Sequence, residues 1–355
     1  MFKYILKFLV VFRQIYRYSI GRTKHYYDGE RKIWLHIAID LIYLLLREQE
    51  FCYLYYALGY DQKGKSAHNY IGKKRIFRVK NREEKLLKEK LGTNLSYDVV
   101  TKDKFYAGSI CIANGLPAIE DLALVVNGDL QVKRRGLCKF GEIFSLGSQL
   151  VIKNTTLEAS TGVLFLELIR NGVYLNGKEV MMSELQDKVA KGAWVVQKEY
   201  LSHQSIASVN ASALNIMRVT TIYDGKDVKI VGGFQAFATG NAKTDSWSEG
   251  SIYVGVDFER GCLHKHGFRS PYHEGLGLEP KHPDSRIVFE DFAIPYIEEI
   301  KGLVTRAHRL FFTNYLLGWD IAITDNGPMI VEINEKPGMN VMQCVSDISG
   351  YFLRS

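Results

Sequence analysis

The sequence lacks the short motifs that identify several common enzyme classes. It contains no Walker A phosphate loop, no G-x-G-x-x-G dinucleotide fingerprint and no G-x-S-x-G nucleophile elbow. Its cysteines are dispersed, with no C-x-x-C pair and no Cys/His grouping at zinc spacing. They are Cys52, Cys111, Cys138, Cys262 and Cys344. These absences argue against P-loop, Rossmann, α/β-hydrolase and zinc chemistry, and predict free thiols in a reducing compartment.

Long hydrophobic runs are also missing. The most apolar run, Leu35–Leu46, contains Asp40 and is shorter than the ~20 residues that a membrane-spanning helix needs. Residues 1–13 resemble a signal peptide, but the apolar stretch is short and no small-residue cleavage site follows. With 46% hydrophobic residues and only 7 prolines among 355 residues, the chain is typical of a globular protein of two or three domains. We expect a cytoplasmic protein.

Positive charge is concentrated near the N-terminus. Residues 1–90 hold 20 Lys/Arg against 9 Asp/Glu, whereas the remaining 265 residues hold 26 against 30. Residues 1–20 place apolar side chains at helical spacing with basic ones among them, which predicts a basic amphipathic helix. Two interpretations stay open for it: an anchor on an anionic membrane surface, peripheral to the inner face, or a helix packed on the protein. No nucleic-acid partner is predicted.

The spacing of apolar residues separates a helical part from a β-rich part. Residues 33–58 predict one or two buried helices, and residues 82–91 predict another. From about Asp98 the chain shows short strands with turn signals, which together with the helices favours an α+β fold in at least two lobes. The predicted strands are Leu122–Val126, Leu130–Lys133, Gln149–Lys153, Val163–Leu168, Trp194–Tyr200, Asn215–Tyr223, Val228–Ala238, Leu317–Ile323 and Met329–Asn334. Helical periodicity appears in Val180–Ala190 and Phe292–Leu317.

The strongest chemical signal lies in the last predicted hairpin. If Asp325-Asn326-Gly327 forms its turn, Asp320 lies directly opposite Glu332, and Asn334 shares their face. Opposed acids destabilise a sheet unless a cation lies between them, and carboxylate and amide oxygens suit Mg²⁺. The hairpin therefore predicts a metal site, although a polar outer face would show the same pattern. The opposite, apolar face is predicted to carry Trp319, Ile321, Ile323, Val331 and Ile333.

Three weaker signals concern anion and nucleotide binding. Lys153 ends an apolar strand and precedes the polar loop Thr155–Gly162, which predicts a phosphate-binding lysine unless it is an edge lysine reaching solvent. Residues 195–201 change from apolar to polar, as a hinge beside an adenine does, but an ordinary strand end would look alike. Arg218 opens a strand and suits stabilisation of a transferring group or a surface salt bridge. Asp245 and Glu249 lie in a loop where they could reach metals or an amine, or serve no chemistry.

Taken in chain order, these residues resemble the ATP-grasp superfamily. The ending Glu332-Ile-Asn334-Glu-Lys-Pro337-Gly338-Met339 is similar to that of D-alanine–D-alanine ligases. A closer resemblance is to the sugar-transfer-associated ATP-grasp family of polysaccharide biosynthesis, over roughly residues 100–345. Its patterns are similar to Asp103-Lys104, Gly115-Leu116-Pro117, Asn215-Ile-Met-Arg218-Val-Thr, His282-Pro283-Asp284, Ile294-Pro295 and Gly318-Trp319-Asp320.

The resemblance implies an ATP-grasp fold, in which two α+β lobes grip ATP beside a helical, basic N-terminal module. We expect this module at residues 1–98, the N-terminal lobe at 99–205 and the C-terminal lobe at 206–355. Two Mg²⁺ ions, or Mn²⁺ in their place, are implied on Asp320, Glu332 and Asn334, with Arg218 and Lys153 as catalytic residues. The implied ATP-binding residues are Lys104, Lys153, Gln197, Lys198, Glu199, Tyr200 and Leu201.

The activity that the resemblance implies is ATP-dependent joining of a carboxylate to an amine through an acyl phosphate. The substrates would be small molecules, with an amino acid joined to a sugar in polysaccharide or cell-envelope biosynthesis. Two alternatives stay open. One is a kinase of a hydroxyl substrate on the same fold, and the other is a non-catalytic protein that binds a membrane surface through its basic N-terminus.

Overall fold

A computed structural model of the chain describes residues 13–16, 27, 29–157, 162–170, 172–269 and 278–353. Two antiparallel β-sheets with helices packed against them make up these residues, which confirms the predicted α+β class. Of the amphipathic helix predicted for residues 1–20, only 13–16 are described, and these are helical. The rest of that prediction lies outside the described residues.

The first sheet has eight strands in the order β3-β2-β1-β8-β4-β5-β6-β7. Asn127 and Gly128 connect β1 to β2 with φ values of 50° and 88°, as a two-residue type I′ turn requires. This turn matches the right-handed twist of the flanking strands, so the predicted hairpin forms here. The strands are β1 (Asp121–Val126), β2 (Asp129–Val132), β3 (Gly136–Cys138), β4 (Gln149–Asn154), β5 (Val163–Ile169), β6 (Gly172–Leu175), β7 (Lys178–Val180) and β8 (Ala193–Lys198).

The second sheet has seven strands in the order β13-β12-β11-β10-β9-β14-β15. Its centre is formed by long neighbouring strands, and the hairpin β14–β15 occupies one edge. The strands are β9 (Ile216–Tyr223), β10 (Val228–Phe237), β11 (Ile252–Asp257), β12 (Cys262–Arg269), β13 (Leu278–Glu279), β14 (Leu316–Thr324) and β15 (Gly327–Asn334). The sheets thus come from residues 121–198 and 216–334, while the proposed domain boundaries at 98 and 205 stay a prediction.

Helices of very different length surround the two sheets. Those in the first hundred residues belong to the basic part of the chain. Short 3₁₀ helices occur at Ala67–Asn69, Phe140–Leu146 and Trp247–Glu249. The α-helices are α1 (Trp34–Glu48), α2 (Lys73–Leu91), α3 (Asp98–Lys102), α4 (Lys104–Ala113), α5 (Met182–Lys188), α6 (Gln204–Val209), α7 (Ile297–Leu310), α8 (Met339–Val345) and α9 (Ser349–Phe352).

The predicted strands agree with the structure to within about two residues, but several helices differ. The helix predicted over Val180–Ala190 is shorter in the structure. Val180 belongs to β7, where it pairs with Val173 of β6, and the helix starts at Met182. The periodicity of Phe292–Leu317 belongs to α7 only as far as Leu310. The prediction of buried helices over 33–58 was wrong in part, because turns follow α1 and only one face of α1 is buried.

The second sheet is covered on both faces. Helix α7 packs on one face, where Ile300, Leu303 and Val304 join Trp319 and other strand residues in one apolar cluster. On the other face α2, α8 and α9 contribute to a second cluster with strands β9 to β11 and β14. Burial on both faces is seen along β9 and β14, in which almost every residue is buried, as in central strands between two layers.

Among the described residues, no helix is both long enough and apolar enough to cross a membrane.

A buried polar chain beside the second sheet predicts that the stability of the protein depends on pH. The His308 ring accepts or donates at Thr221 Oγ1 (2.7 Å) and Asn314 O (3.0 Å), and burial lowers its pKa from 6.5 to about 4. Because the folded pKa lies below the unfolded one, the contribution is complete above pH 6.5 and is lost as the pH falls towards 4.

We therefore expect the unfolding free energy of the wild type to fall by roughly 3 kcal/mol over this window. The variant His308→Gln should lose most of this pH dependence, which urea unfolding at several pH values measures. An equally steep loss of stability in the variant would show that another group is responsible.

Candidate active site

A cavity of about 850 Å³ lies between the two sheets. Its walls come from β4, β5 and the end of β8 on one side, and from β9, β10, β14 and β15 on the other. Every site residue predicted from the sequence lines this cavity. These are Lys104, Lys153, Gln197, Lys198, Glu199, Tyr200, Leu201, Arg218, Asp320, Glu332 and Asn334.

Three charged side chains form a row across neighbouring strands of the second sheet. Asp320 on β14 is paired in register with Arg218 on β9 and with Glu332 on β15. Adjacent strands lie about 4.8 Å apart, so residues in register point to the same face at this spacing. The predicted opposition of Asp320 and Glu332 is confirmed by this register, and Arg218 extends the row by one strand.

The register of the hairpin depends on a bulge that the sequence did not reveal. The turn contains only Asp325 and Asn326, since Thr324 already pairs with Gly327. One extra residue, Val331, is inserted between the pairs Ile321–Ile330 and Asp320–Glu332 and restores the opposition of the two acids. The prediction that Val331 lies on the apolar face was wrong, because the bulge turns it towards the cavity.

Gly318 allows the side chains on either side of it to approach the sheet closely. A Cβ at this position would lie 2.7 Å from Pro337 Cβ, 3.4 Å from Arg218 Cδ and 3.5 Å from Asn334 Cβ. The first distance is shorter than van der Waals contact permits. A glycine is therefore needed at position 318 because Pro337 lies against the strand there, while Arg218 and Asn334 come within ordinary contact distance.

The charges of the row are balanced by cations. Arg218 contacts Asp320 with Nε and with Nη2, the latter at 3.1 Å, and Asn334 Nδ2 donates to Asp320 Oδ2 at 3.3 Å. Lys104 Nζ lies 3.4 Å from Glu332 Oε1. Burial, together with the charge of Asp320, raises the pKa of Glu332, while Lys104 and other cations act in the opposite direction. The negative charge of two acids in a buried sheet is thus balanced by cations from three elements.

The donor set fits a hard divalent cation. Asp320 and Glu332 offer carboxylate oxygens from adjacent strands, and the Asn334 side chain shares their side of the sheet. Among the described residues no group of three or more His, Cys, Asp or Glu side chains could hold a metal ion. Two carboxylates and an amide nevertheless match Mg²⁺, which retains waters and takes further oxygens from a bound phosphate.

Two lysines approach the same acids from different elements. Lys104 is the first residue of α4, whose N-cap Asp103 accepts hydrogen bonds from Phe105 N (3.0 Å) and Tyr106 N (3.3 Å). Lys153 lies on β4, where burial is the main cause of its lowered pKa and the charge of Lys104 adds to it. Two ammonium groups in one partly buried cavity are a charge arrangement that suits a polyphosphate anion.

The segment after β8 lines the cavity where the sequence predicted a hinge. Strand β8 ends at Lys198, and residues 199–201 continue without regular structure. The Gln197 side chain does not point freely into the space, because its Nε2 donates to Asp121 Oδ1 at 2.8 Å. Burial raises the pKa of Asp121 to about 6. No local pattern pointed to Asp121 as the partner of Gln197, since the two residues are 76 positions apart in the chain.

The predicted phosphate-binding loop Thr155–Gly162 is described only at its two ends. Residues 158–161 lie outside the described residues, and Gly162 lines the cavity. Lys104 Nζ donates to Leu157 O at 2.6 Å, so the start of the loop contacts one of the two lysines.

Another carboxylate, Asp245, and three aromatic rings form a further part of the cavity wall. Asp245 Oδ2 accepts a hydrogen bond from Ile216 N at 2.6 Å, and burial raises the pKa of Asp245 to about 7. Tyr253 lies 5.2 Å from both Trp247 and Phe234, measured between ring centroids. Sequence reasoning missed these rings, because three separate elements supply them. Glu249 does not line the cavity and instead accepts from Thr244 Oγ1 at 2.5 Å.

Comparison with known families gives one match that covers most of the chain. The family described as sugar-transfer associated ATP-grasp matches residues 84–351. This range contains all the residues of the cavity described above. No curated protein sequence is a significant match.

Three solved structures with similar folds are remote from this chain in sequence. An L-amino acid ligase from Bacillus licheniformis shares 14% identity with a TM-score of 0.40, covering 72% of this chain and 46% of that one. A D-alanine–D-alanine ligase from Bacillus anthracis shares 16% with a TM-score of 0.37, covering 72% and 64%. An N5-carboxyaminoimidazole synthetase from Staphylococcus aureus, complexed with ADP, shares 9% with a TM-score of 0.42, covering 75% and 56%. This chain therefore spans 46% to 64% of their lengths, and such low similarity carries no argument about activity.

The lysine on β4 gives a direct test of the cavity as a nucleotide site. Replacing Lys153 by Met should weaken binding of Mg-ATP by roughly tenfold to a hundredfold, the effect of losing one charged hydrogen bond to phosphate. The unliganded melting temperature should change little, since the substitution removes both the burial cost of an ammonium group and its attraction to Glu332. Isothermal titration and thermal denaturation measure the two quantities.

The exposed lysine of the same sheet, Lys178, provides the matched control as Lys178→Met. Equal ATP affinities in the wild type and in Lys153→Met would contradict a phosphate contact for Lys153.

Proposed function

Because the chain belongs to the sugar-transfer associated ATP-grasp family, we propose that it is an ATP-dependent ligase that joins a carboxylate to an amine. The observation that carries the proposal is the row Arg218–Asp320–Glu332, which faces Lys104 and Lys153 within one cavity. Alternating acids and cations of this kind suit a reaction that moves a charged phosphoryl group between two anions. ATP binding and a phosphorylated intermediate account for all five residues.

ATP would lie along the cavity from the hinge to the charged row. Residues 197–201 line one part of the wall and would hold the adenine, with backbone groups of the unstructured segment facing its edge. Lys104 and Lys153 would hold the phosphates, since each brings an ammonium group close to Glu332. This arrangement places the γ-phosphate beside the row on β9, β14 and β15.

Asp320, Glu332 and Asn334 would hold magnesium, with two ions expected and manganese as a substitute. When bound, such ions neutralise the charge of the phosphates and hold the transferred group in line. Lys104 and Arg218 now occupy the oxygens of the two carboxylates. Their role would be to balance the charge of both acids in a buried sheet and to turn towards phosphate when ATP binds.

The first chemical step would transfer the γ-phosphoryl group to the carboxylate substrate. A carboxylate oxygen forms a bond to the γ-phosphorus, the bond from that phosphorus to the β,γ-bridging oxygen breaks, and ADP leaves with the electron pair. Arg218 would stabilise the charge on the equatorial oxygens, and Lys153 that on the departing ADP. The product is an acyl phosphate, which a closed cavity protects from water.

The second step would join the amine to the activated carbonyl carbon. The nitrogen forms a C–N bond, the bond between that carbon and the phosphate oxygen breaks, and inorganic phosphate leaves. The attacking nitrogen must lose a proton, and Asp245 is the carboxylate in the cavity wall with a pKa near neutrality. Asp245 would therefore accept the proton, while the rings of Trp247 and Tyr253 border the amine.

The substrates would be small molecules, one of them a sugar derivative, as the description of the family suggests. We propose an amino acid joined to a sugar in polysaccharide or cell-envelope synthesis, carried out in the cytoplasm. A hydroxyl kinase remains the alternative that uses the same cavity, because it needs ATP and metal but no amine. A non-catalytic binding protein is disfavoured, because the acids and lysines of the cavity are all present.

The products distinguish these functions. With pooled amino acids and amino or uronic sugars, we expect the wild type to release ADP and phosphate only when a carboxylate and an amine are both present. Glu332→Gln should reduce the rate by about a hundredfold or more, since the metal contributes several kcal/mol to the transition state. Asp325→Asn, on the same hairpin but outside the cavity, should retain the wild-type rate.

ADP without free phosphate, together with a phosphorylated acceptor, would identify a kinase instead. An unchanged rate in Glu332→Gln would show that the site lies elsewhere.

The proposed base gives a second test. Asp245→Asn should lower amide formation by about a hundredfold or more, because a general base contributes roughly that much. In the wild type, amide formation should fall as the pH drops below about 7, where Asp245 becomes protonated, and the variant should lose this limb. Hydroxylamine, which is neutral at this pH and needs no base, should still trap the acyl phosphate in the variant as hydroxamate.

Loss of hydroxamate as well as of amide in Asp245→Asn would contradict a role confined to the amine. Thr244→Ala, which changes the neighbouring residue, serves as the control for the loop.

A further inference from the structure

Helix α1 is apolar on both of its sides. Its inner side carries Ile37, Leu41 and Leu44, which are 3%, 1% and 0% exposed and belong to one buried cluster with residues 51–60. A helix with one apolar stripe would show polar residues on its remaining surface. Helix α1 does not, so its other side requires an explanation.

The outer face of α1, as we name it, consists of seven large apolar side chains that are 36% to 75% exposed. Single exposed apolar residues are common, but a contiguous set of this size is rare on a protein that works free in water. The residues are Ile33, Trp34, Leu35, Ile39, Ile42, Tyr43 and Leu46, with Leu46 the most exposed.

The acids near the outer face are turned away from it and paired. Asp40 accepts from Lys32 Nζ (2.8 Å) and from Tyr55 OH (2.6 Å), and its side chain is 25% exposed. The Glu48 carboxylate is fully buried between Arg47 and Arg75. No carboxylate on α1 therefore projects freely from the side that carries the apolar residues.

Basic residues lie at both ends of the helix. Lys32 precedes it and reaches the backbone oxygen of Lys65, and at the other end Lys74 Nζ donates to Gln49 O at 2.8 Å. Arg47 lies against Tyr43, with Nη1 at 3.3 Å from the hydroxyl. Within residues 29–91 there are 14 Lys/Arg and 8 Asp/Glu. Lys32 and Arg47 are paired with Asp40 and Glu48, so the positive charge that faces solvent at the two ends comes from exposed lysines such as Lys65 and Lys74. The outer face is thus an apolar strip between two basic ends.

We propose that the outer face of α1 docks on the surface of an anionic membrane, with the helix lying parallel to it. The apolar side chains would enter the boundary between headgroups and acyl chains, and the basic ends would meet the phosphates. Trp34 near one end and Tyr43 near the other suit this boundary, where amphipathic rings concentrate. At about 22 Å, a helix of 15 residues lies on a membrane and does not cross it.

Charge complementarity favours lipid over a second copy of the chain. In a symmetric dimer through α1, two such helices would run antiparallel or cross, and each basic end would approach the basic end of the partner. That arrangement repels, whereas an anionic surface attracts both ends at once. An anionic lipid surface is therefore the partner that matches both the apolar strip and the two basic ends.

The buried side of α1 connects this surface to the cavity. The cluster beneath the helix includes Phe268, and Trp247 packs against it. Trp247 also lines the cavity and lies 5.8 Å from Phe268 between ring centroids. Docking would therefore hold the amine-binding wall of the proposed ligase on a scaffold fixed to the membrane.

Vesicle flotation with the full chain tests the docking without any knowledge of the substrates. We expect binding to phosphatidylcholine vesicles that contain phosphatidylglycerol, and weaker binding to phosphatidylcholine alone or at high salt. The double variant Ile39→Ser/Leu46→Ser should lower the partition coefficient by about tenfold or more, because it removes two side chains from the inserted strip.

The matched control is Val99→Ser/Leu137→Ser, which removes two equally exposed apolar side chains outside α1. This control should bind vesicles like the wild type. Both double variants should keep the thermal shift with Mg-ATP, because none of the four substituted residues lines the cavity.

Three results would overturn the proposal. One is the absence of flotation of the wild type with anionic vesicles at low salt. Another is equal flotation of Ile39→Ser/Leu46→Ser and the wild type, which would place the contact elsewhere in the chain. The third is a dimer in sedimentation that Ile39→Ser/Leu46→Ser dissolves while vesicles fail to bind, which would assign the face to a second copy. None of these depends on ligase activity, so the failure of either proposal is recognised separately.

Discussion

The opposition of Asp320 and Glu332 on adjacent, buried strands is the constraint on which the rest of the site depends. Two carboxylates in register repel each other, and burial raises the pKa of Glu332 further. Cations near the two acids offset this repulsion. Arg218 comes from the same sheet, while Lys104 and Lys153 are brought to the acids by other elements. The cavity is where these elements converge.

The two lysines show how the fold brings distant segments to one place. Lys104 opens α4, which packs on the second sheet, and the chain after α4 continues as a bridge between Ala118 and Ile330. Lys153 belongs to the first sheet. One lysine is therefore fixed to the sheet that carries the acids, and the other to the sheet that faces it. Any change in the separation of the two sheets alters the distance between these charges, which suits a site that closes on a polyphosphate.

The basic N-terminal part is attached to the second sheet by a buried polar network. Lys80 Nζ lies 2.7 Å from Glu84 and 3.4 Å from Asp98, Glu84 accepts from Tyr315 N at 3.1 Å, and Asn314 donates to Asp98 at 2.7 Å. Buried ion pairs contribute little net stability, but breaking one is costly, so they specify position. Helix α2 is fixed in this way beside β14, and α1 packs against the same module. A surface on α1 and a cavity on the second sheet can therefore act as parts of one body.

The sequence by itself determined what local patterns encode. Alternating apolar residues and turn residues predicted nine of the fifteen strands in the described residues. Two acids and an amide at period two predicted a metal-binding face, since side-chain direction in a strand depends only on spacing. Tertiary structure decided the rest, because it depends on contacts between residues far apart in the chain. The bulge at Val331, the bond from Gln197 to Asp121 and the aromatic wall beside Asp245 are of this kind. The exposure of α1 is also of this kind. An apolar sequence indicates that a helix surface will be covered, but it does not indicate whether another part of the protein covers it.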